Sequence, residues 1–363
     1  MSAARGDAPG FPMGRSSNNF GALRLLFAVL VILSHSPELV DGNRSREILT
    51  RVFGTLSFGE LGVDGFFLIS GYLITKSFQD STSVAEYVLK RVLRIHPGYI
   101  VAYLLSIVVL GPFVGGQLAG LSVVQMLVDI VFLQTPGIEG AFAGTPYPDL
   151  NGSMWTIAYE FRCYMFVVAA GIVGLLSRRS NLAFLIAASM ALSATHTKIF
   201  WRFPSGLMPY LGVPIVNLRF VGIFGCGALF YLYRDRIKYD WRLATLAACG
   251  LSVLMFSPSL SEAALATLGG YLLFWFAFNV KSPRLAAVGR RVDISYGVYL
   301  YAWPVQKSLI WWYSGISPWM VFIEATAISS LLAFGSWWLV EKPFLNLKSA
   351  IVPVVMRTER RLQ

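Results

Sequence analysis

The sequence predicts an all-α polytopic membrane bundle of about ten transmembrane helices with both termini cytoplasmic, and three observations carry this. First, 56% of the 363 residues are hydrophobic and only 13% charged, with a mean hydropathy of +0.61. A soluble domain is about a quarter charged, so this chain has lipid as its solvent. Second, apolar runs of helix length follow one another with short interruptions. Third, the 30 Lys and Arg sit in those interruptions and not along one amphipathic face, as topology determinants do. The formal charge of +11 therefore needs no nucleic-acid partner, which would require the cations gathered in one patch.

The runs lie near 20–40, 59–78, 97–113, 120–135, 154–177, 181–196, 211–233, 243–257, 263–280, 293–313 and 319–340. The first follows a polar tail, residues 1–18, and holds Arg24 and His35 without a small-residue cleavage signal, so it reads as a retained span and not a signal peptide. The fourth is the exception. No Lys or Arg occurs between Arg94 and Arg162, while Asp129, Glu139 and Asp149 do. That stretch behaves as one outside loop, and 120–135 is expected to lie on the lipid surface or re-enter. Ten spans remain, and most cations then fall inside, with Arg44, Arg46, Arg51, Lys198 and Arg202 outside. Residues 19–348 form one membrane domain, and 349–363 a basic cytoplasmic tail. Cys163, Cys226 and Cys249 fall in apolar segments with no paired spacing, so neither a disulfide framework nor a zinc site follows.

A charge at mid-bilayer costs about 2.5–3.5 kcal/mol, so the ionisable residues within the spans are candidate functional groups. They are His35, Asp64, Glu160, Arg162, Arg219 and Lys307. Arg24 and His35 form R-x10-H, which puts both on one helix face about 16.5 Å apart along the axis. Spacing alone leaves two readings open: an interfacial anchor with a satisfied outer histidine, or a linked functional pair. Asp64 and Glu160 both lie early in inward-running spans and so are expected at the depth of His35. A carboxylate at that level would fix the imidazole tautomer for general-base work, although pairing with an interior Arg is the rival reading for each. Gly59 and Gly62 read as helix-packing positions, whereas Gly65 and Gly71 flank Asp64 and Ser70 and could open a cavity. Arg91 and Arg94 share a helix face and could hold phosphate, though a basic cluster at an inner helix end is also ordinary topology signal. The aromatics of S-Y-G-V-Y-L-Y-A-W-P favour packing over a substrate path.

The order of these segments resembles the acyltransferase 3 family of membrane acyltransferases. The resemblance rests on R-x10-H, G-V-D-G-F-F-L-I-S-G-Y-L-I-T, R-V-L-R-I-x-P, N-G-S-M-W-T-I-A-Y-E, I-S-Y-G-V-Y-L and the terminal E-K-P-F-L, across about residues 19–348. It implies O-acyl transfer, often of acetyl, from cytoplasmic acyl-CoA to hydroxyls of surface or exported glycans such as lipopolysaccharide and exopolysaccharide, at the bacterial inner membrane. It implies His35 as catalytic base, Arg24 as its partner in the motif, Arg91 and Arg94 as acyl-CoA contacts, and roles for Asp64 and Glu160 at acidic motif positions. Many relatives carry a histidine near Ala302, and its absence argues against a second-histidine mechanism.

The partners expected are therefore the lipid bilayer, acyl-CoA as co-substrate and a glycan or other hydroxyl acceptor, with no permanently bound cofactor, no metal and no nucleic acid. The oligomeric state stays open. Candidate cavity-lining residues and oxyanion donors are Ser70, Tyr72, Asn151 and Trp155, with Tyr299 as a further lining residue. The alternative from another class is a transporter or flippase whose intramembrane acids relay protons. The absence of inverted repeats counts against it.

Overall fold

A helix exposed to lipid must satisfy its own backbone, and among the described residues, 18–195 and 205–347, the computed structural model is helical without strands. The N-terminal tail, the basic C-terminal tail, His196, Lys198 and Arg202 lie outside the described residues. Eleven main helices follow in order: α1 (Phe20–Asp41), α2 (Phe58–Gln79), α3 (Val84–Phe113), α4 (Val123–Phe132), α5 (Trp155–Ile172), α6 (Arg179–Ala194), α7 (Pro214–Leu232), α8 (Trp241–Leu254), α9 (Ser261–Asn279), α10 (Ser295–Trp312) and α11 (Pro318–Leu347). Six of these, α1, α2, α3, α7, α9 and α11, are long and apolar enough to cross a membrane. Helices α5 and α10, 18 residues each, carry polar side chains instead: Glu160 and Arg162 in one, Gln306 and Lys307 in the other.

Local chemistry places the helix starts. Ser57 accepts from the Glu60 amide at 3.2 Å while the Glu60 carboxylate accepts from the Ser57 amide at 2.8 Å, a reciprocal capping box opening α2. Ser83 caps α3 through the Glu86 amide. Because of that cap, α3 begins at Val84, well before the apolar run at 97, and carries Arg91 and Arg94 within a continuous helix. The 10 residues of α4 extend about 15 Å, half of a ~30 Å hydrocarbon layer, and leave Val123, Val124, Leu127 and Val131 exposed. The expectation of a non-spanning element at 120–135 agrees with that length.

Helix α2 is the hub, packed on α1 on one side and α7 on the other, while α1 also contacts α10 and α11. Backbones touch at the α2–α7 crossing: a Cβ at Gly71 would lie 1.9 Å from the Phe224 carbonyl oxygen, and one at Gly227 would lie 2.1 Å from that of Leu68. Gly65 abuts the Phe27 ring in the same way. Gly65 and Gly71 thus serve close packing like Gly59 and Gly62, and neither lines a cavity, although Phe66, Phe67, Ile69 and Ser70 between them do. One connection into the bundle is irregular. Residues 149–151 lead into a single 3-10 turn, Gly152–Met154, and lie along α10, with the Trp303 indole donating to the Asp149 carbonyl, the Asn151 amide to that of Leu300, and the Ser153 hydroxyl to that of Tyr299. Irregular backbone is tolerated at that depth because protein surrounds it.

Candidate active site

Five of the six motif segments meet at one narrow cavity of about 140 Å³, whose wall includes Arg24, Ser70, Arg91, Arg94, Glu160 and Tyr299, while the terminal E-K-P-F-L stays outside the wall. The cations are unequally neutralised. Asp293 Oδ2 lies 3.2 Å from Arg24 and 2.9 Å from Arg94, and Glu341 lies 3.5 Å from Arg94. Burial pushes the Asp293 carboxyl up, but the charges of Arg24 and Arg94 and the hydrogen bonds from Ser295 outweigh it and hold the group below the ordinary aspartate range. Arg91 has no carboxylate within ion-pair distance among the described residues. Its guanidinium donates to the Ser77 hydroxyl at 3.3 Å, lies 5.9 Å from the Tyr87 ring, and leaves a buried Nε without a partner. A cation so placed is a ready contact for an anionic ligand.

Glu160 belongs to this cavity and not to the level of His35, and this corrects the depth expected for it. Its Oε1 accepts from Ser70 at 2.5 Å and Tyr164 at 2.7 Å. The entry of the chain through the buried 3-10 turn Gly152–Met154 is the reason: α5 starts within the bundle, which carries Glu160 to the cavity. Asp64 is likewise apart from the imidazole. Fully buried, it takes both oxygens to Arg219 of α7, at 2.9 and 3.0 Å, while the Arg219 Nε donates to Glu262 of α9 at 2.8 Å. Of the candidate lining residues, Ser70 and Tyr299 face the cavity, and Tyr72, Asn151 and Trp155 do not. Tyr72 packs among Phe20, Tyr231 and Phe274; Asn151 is committed to α10; Trp155 is 46% exposed and packs 5.7 Å from the Phe220 ring.

His35 does not line the cavity. Among the wall residues Phe66 and Tyr299 lie ring to ring at 5.8 Å, and the next turn of α10 brings Trp303 edge-on to the His35 ring at 5.1 Å. The imidazole side chain is 20% exposed, and its Nδ1 lies 3.5 Å from Glu38 Oε2. Glu38 Oε1 accepts from Tyr147 at 2.8 Å and from Arg44 at 3.2 Å. The Tyr147 hydroxyl is pushed up by burial and by this bond, and Arg44, despite burial, is raised by the charges of Glu38 and Glu60.

Against this geometry, the acyltransferase 3 family model, described as an acyltransferase domain, matches residues 18–341. The chain belongs to the acyltransferase 3 family. It is 28% identical over 348 residues to an O-acetyl transferase of Shigella phage Sf6, covering 92% of this chain and 97% of the relative. It is also 28% identical over 369 residues to nodulation protein 10 of Rhizobium leguminosarum bv. viciae, covering 92% and 95%. A shorter match, 27% over 144 residues, joins it to the acyltransferase MdmB of Streptomyces mycarofaciens, covering 38% of this chain and 35% of that one. No solved structure matches it. The protein is thus a multi-pass membrane acyltransferase.

Three polar residues of this acyltransferase escaped the sequence reading. Glu38 was legible as a carboxylate three residues after His35, hence on the same helix face. Asp293, two residues before Ser295, and Glu341, in the terminal E-K-P-F-L, lie in or beside segments that carried the resemblance. Their ion pairs with Arg24 and Arg94 depend on helix packing.

Proposed function

We propose that this acyltransferase moves an acyl group, acetyl above others, from cytoplasmic acyl-CoA to a hydroxyl of a cell-surface or exported glycan, in the bacterial cytoplasmic membrane, with His35 as general base. The arrangement that carries this reading is a cation-lined cavity that ends about one helical turn short of a histidine at the opposite half of the bundle. Ten spans with both termini inside put Arg24, Arg91 and Arg94 at the cytoplasmic end, because Lys90, Arg178, Arg179, Arg234 and Arg290 then share that side. The O-acetyl transferase name of the phage relative supports acetyl as the group.

In this mechanism the donor's phosphates contact Arg91, and its pantetheine arm enters the cavity toward the Phe66–Tyr299 pair. Rotation of Phe66 admits the thioester to His35. The imidazole takes the proton of the acceptor hydroxyl as that oxygen bonds to the thioester carbonyl carbon. The carbon–sulfur bond then breaks, and the proton passes to the departing thiolate, so an ester and free CoA result. A positioned base supplies about 10²- to 10⁴-fold, and holding donor and acceptor in line supplies more. The Tyr299–Thr156 hydroxyl pair, 2.6 Å apart and one turn of α10 before Trp303, is the proposed donor to a developing oxyanion.

His35→Ala is expected to abolish O-acetyl signals in the NMR spectrum of surface polysaccharide while membrane expression is retained. Wild-type acetylation in that variant would reject the base assignment. Radiolabelled acetyl-CoA that is never consumed by the purified protein, with polysaccharide present, would favour transport instead.

A further inference from the structure

We infer that Glu38 is the positioning residue for His35, and that Tyr147 and Arg44, brought by two separate segments outside the spans, hold it in place. The inference rests on the reading of His35 as base. Three carboxylates were available to orient the imidazole, and geometry eliminates two: Asp64 is engaged by Arg219, and Glu160 by Ser70 and Tyr164 at the cavity. Among the described residues Glu38 alone lies within ion-pair distance of His35.

The two oxygens of Glu38 are used differently. Oε1 receives both the Tyr147 hydroxyl and the Arg44 Nε, whereas Oε2 receives no hydrogen bond and points to Nδ1. Oε2 and Nδ1 are both buried and otherwise unmatched, so each is the partner the other lacks. At 3.5 Å the contact is looser than a hydrogen bond, and such contacts in a free enzyme commonly tighten when substrate binds. A proton held on Nδ1 by this carboxylate leaves the Nε2 lone pair free, and no described group hydrogen-bonds Nε2. The carboxylate also balances the charge that develops when Nε2 takes the acceptor's proton.

The backbone under Glu38 is fixed. Its carbonyl accepts from the Gly42 amide at 2.7 Å, where a left-handed glycine (φ 78°) ends α1, and the neighbouring Leu39 is fully buried. What remains adjustable is the side chain, and its Oε1 is tied to residues beyond the spans. Tyr147 comes from the segment between α4 and α5, and also packs edge-on to Trp303 at 6.1 Å. Arg44 comes from the α1–α2 connection and lies 3.9 Å from Glu60. From α10 the neighbours are uncharged, Trp303 and Gln306, and the next residue, Lys307, turns to the Thr145 hydroxyl at 2.6 Å. The charged and titratable groups around the pair are therefore His35, Arg44, Tyr147 and, through Arg44, Glu60.

The test follows release of CoA thiol from acetyl-CoA by the full-length protein in proteoliposomes, supplied with surface polysaccharide of the expressing cells. Glu38→Gln keeps the shape and removes the charge. It is expected to lower kcat by about 10²- to 10⁴-fold with KM for acetyl-CoA unchanged. Glu38→Asp restores part of the rate. Tyr147→Phe keeps the ring against Trp303 and removes only the hydroxyl, so a fall of about 2- to 10-fold is expected, and none on top of Glu38→Gln. Wild-type kcat in Glu38→Gln, or a fall confined to KM, overturns the inference. If Glu38→Gln fails to fold, Tyr147→Phe decides alone, and a wild-type rate there overturns it. His35→Ala is run alongside: full activity in that variant refutes the base assignment itself, whereas an inactive His35→Ala beside an active Glu38→Gln refutes only the role of Glu38.

Discussion

Replacing Asp293 by Asn should separate the charge at the mouth of the cavity from the hydrogen bonds around it. Asp293 lies between two guanidiniums, 3.2 Å from Arg24 and 2.9 Å from Arg94, and its side chain is only 10% exposed. At an effective dielectric of about 20, one such pair interacts by about 5 kcal/mol, most of which is offset by desolvation. Removing one partner of a buried pair nonetheless costs about 3–5 kcal/mol, because the other charge is left uncompensated. Two features put this site at the lower end, near ~3 kcal/mol: Glu341 still faces Arg94 at 3.5 Å, and the Asn carbonyl can still accept from Ser295, which donates to Asp293 Oδ1 at 2.6 Å. The assay is unfolding in mixed micelles followed by the fluorescence of the 10 tryptophans. The pH dependence has a definite sign. The Asp293 carboxyl is held below its ordinary range, so its contribution is complete above about pH 4 and is lost as pH falls through the lower folded-state value. The gap between wild type and variant should therefore be full at neutral pH and close in acid. Equal stability at pH 7, or a gap that persists unchanged in acid, would refute the ion-pair account.

Other expectations test the cavity and its surroundings. Arg91→Ala removes a cation that has no carboxylate partner among the described residues, so KM for acetyl-CoA should rise about 10- to 100-fold while the unfolding midpoint stays put; an unchanged KM would remove Arg91 from donor binding. Asp64→Asn should lower stability by about 3 kcal/mol and leave that KM alone, since Asp64 compensates Arg219. Full stability with lost activity would instead return Asp64 to the chemistry. Phe66→Ala opens the cavity wall, and hydrolysis of acetyl-CoA without acceptor should increase; a hydrolysis rate equal to wild type would count against Phe66 as the barrier.

Composition and periodicity by themselves determined the environment, the helical class and most helix positions. Lipid leaves backbone amides no other partner, and long apolar runs of the kind seen at Phe20–Asp41 or Pro214–Leu232 are readable one segment at a time. The capping box at Ser57 and the short α4 were of the same local kind. Motif order also pointed to the family. Tertiary structure alone decided which polar groups meet. Glu160 joined the arginine-lined cavity because α5 begins only after the short 3-10 turn Gly152–Met154 has entered the bundle, a feature that hydropathy does not register. Asp64 found Arg219, far along the chain, because Gly71 and Gly227 let α2 and α7 touch backbone to backbone. Arg24 and Arg94 proved to be joined by Asp293. Depth and partner depend on where helices start and how closely they cross, and both are properties of the packed bundle and not of any one segment.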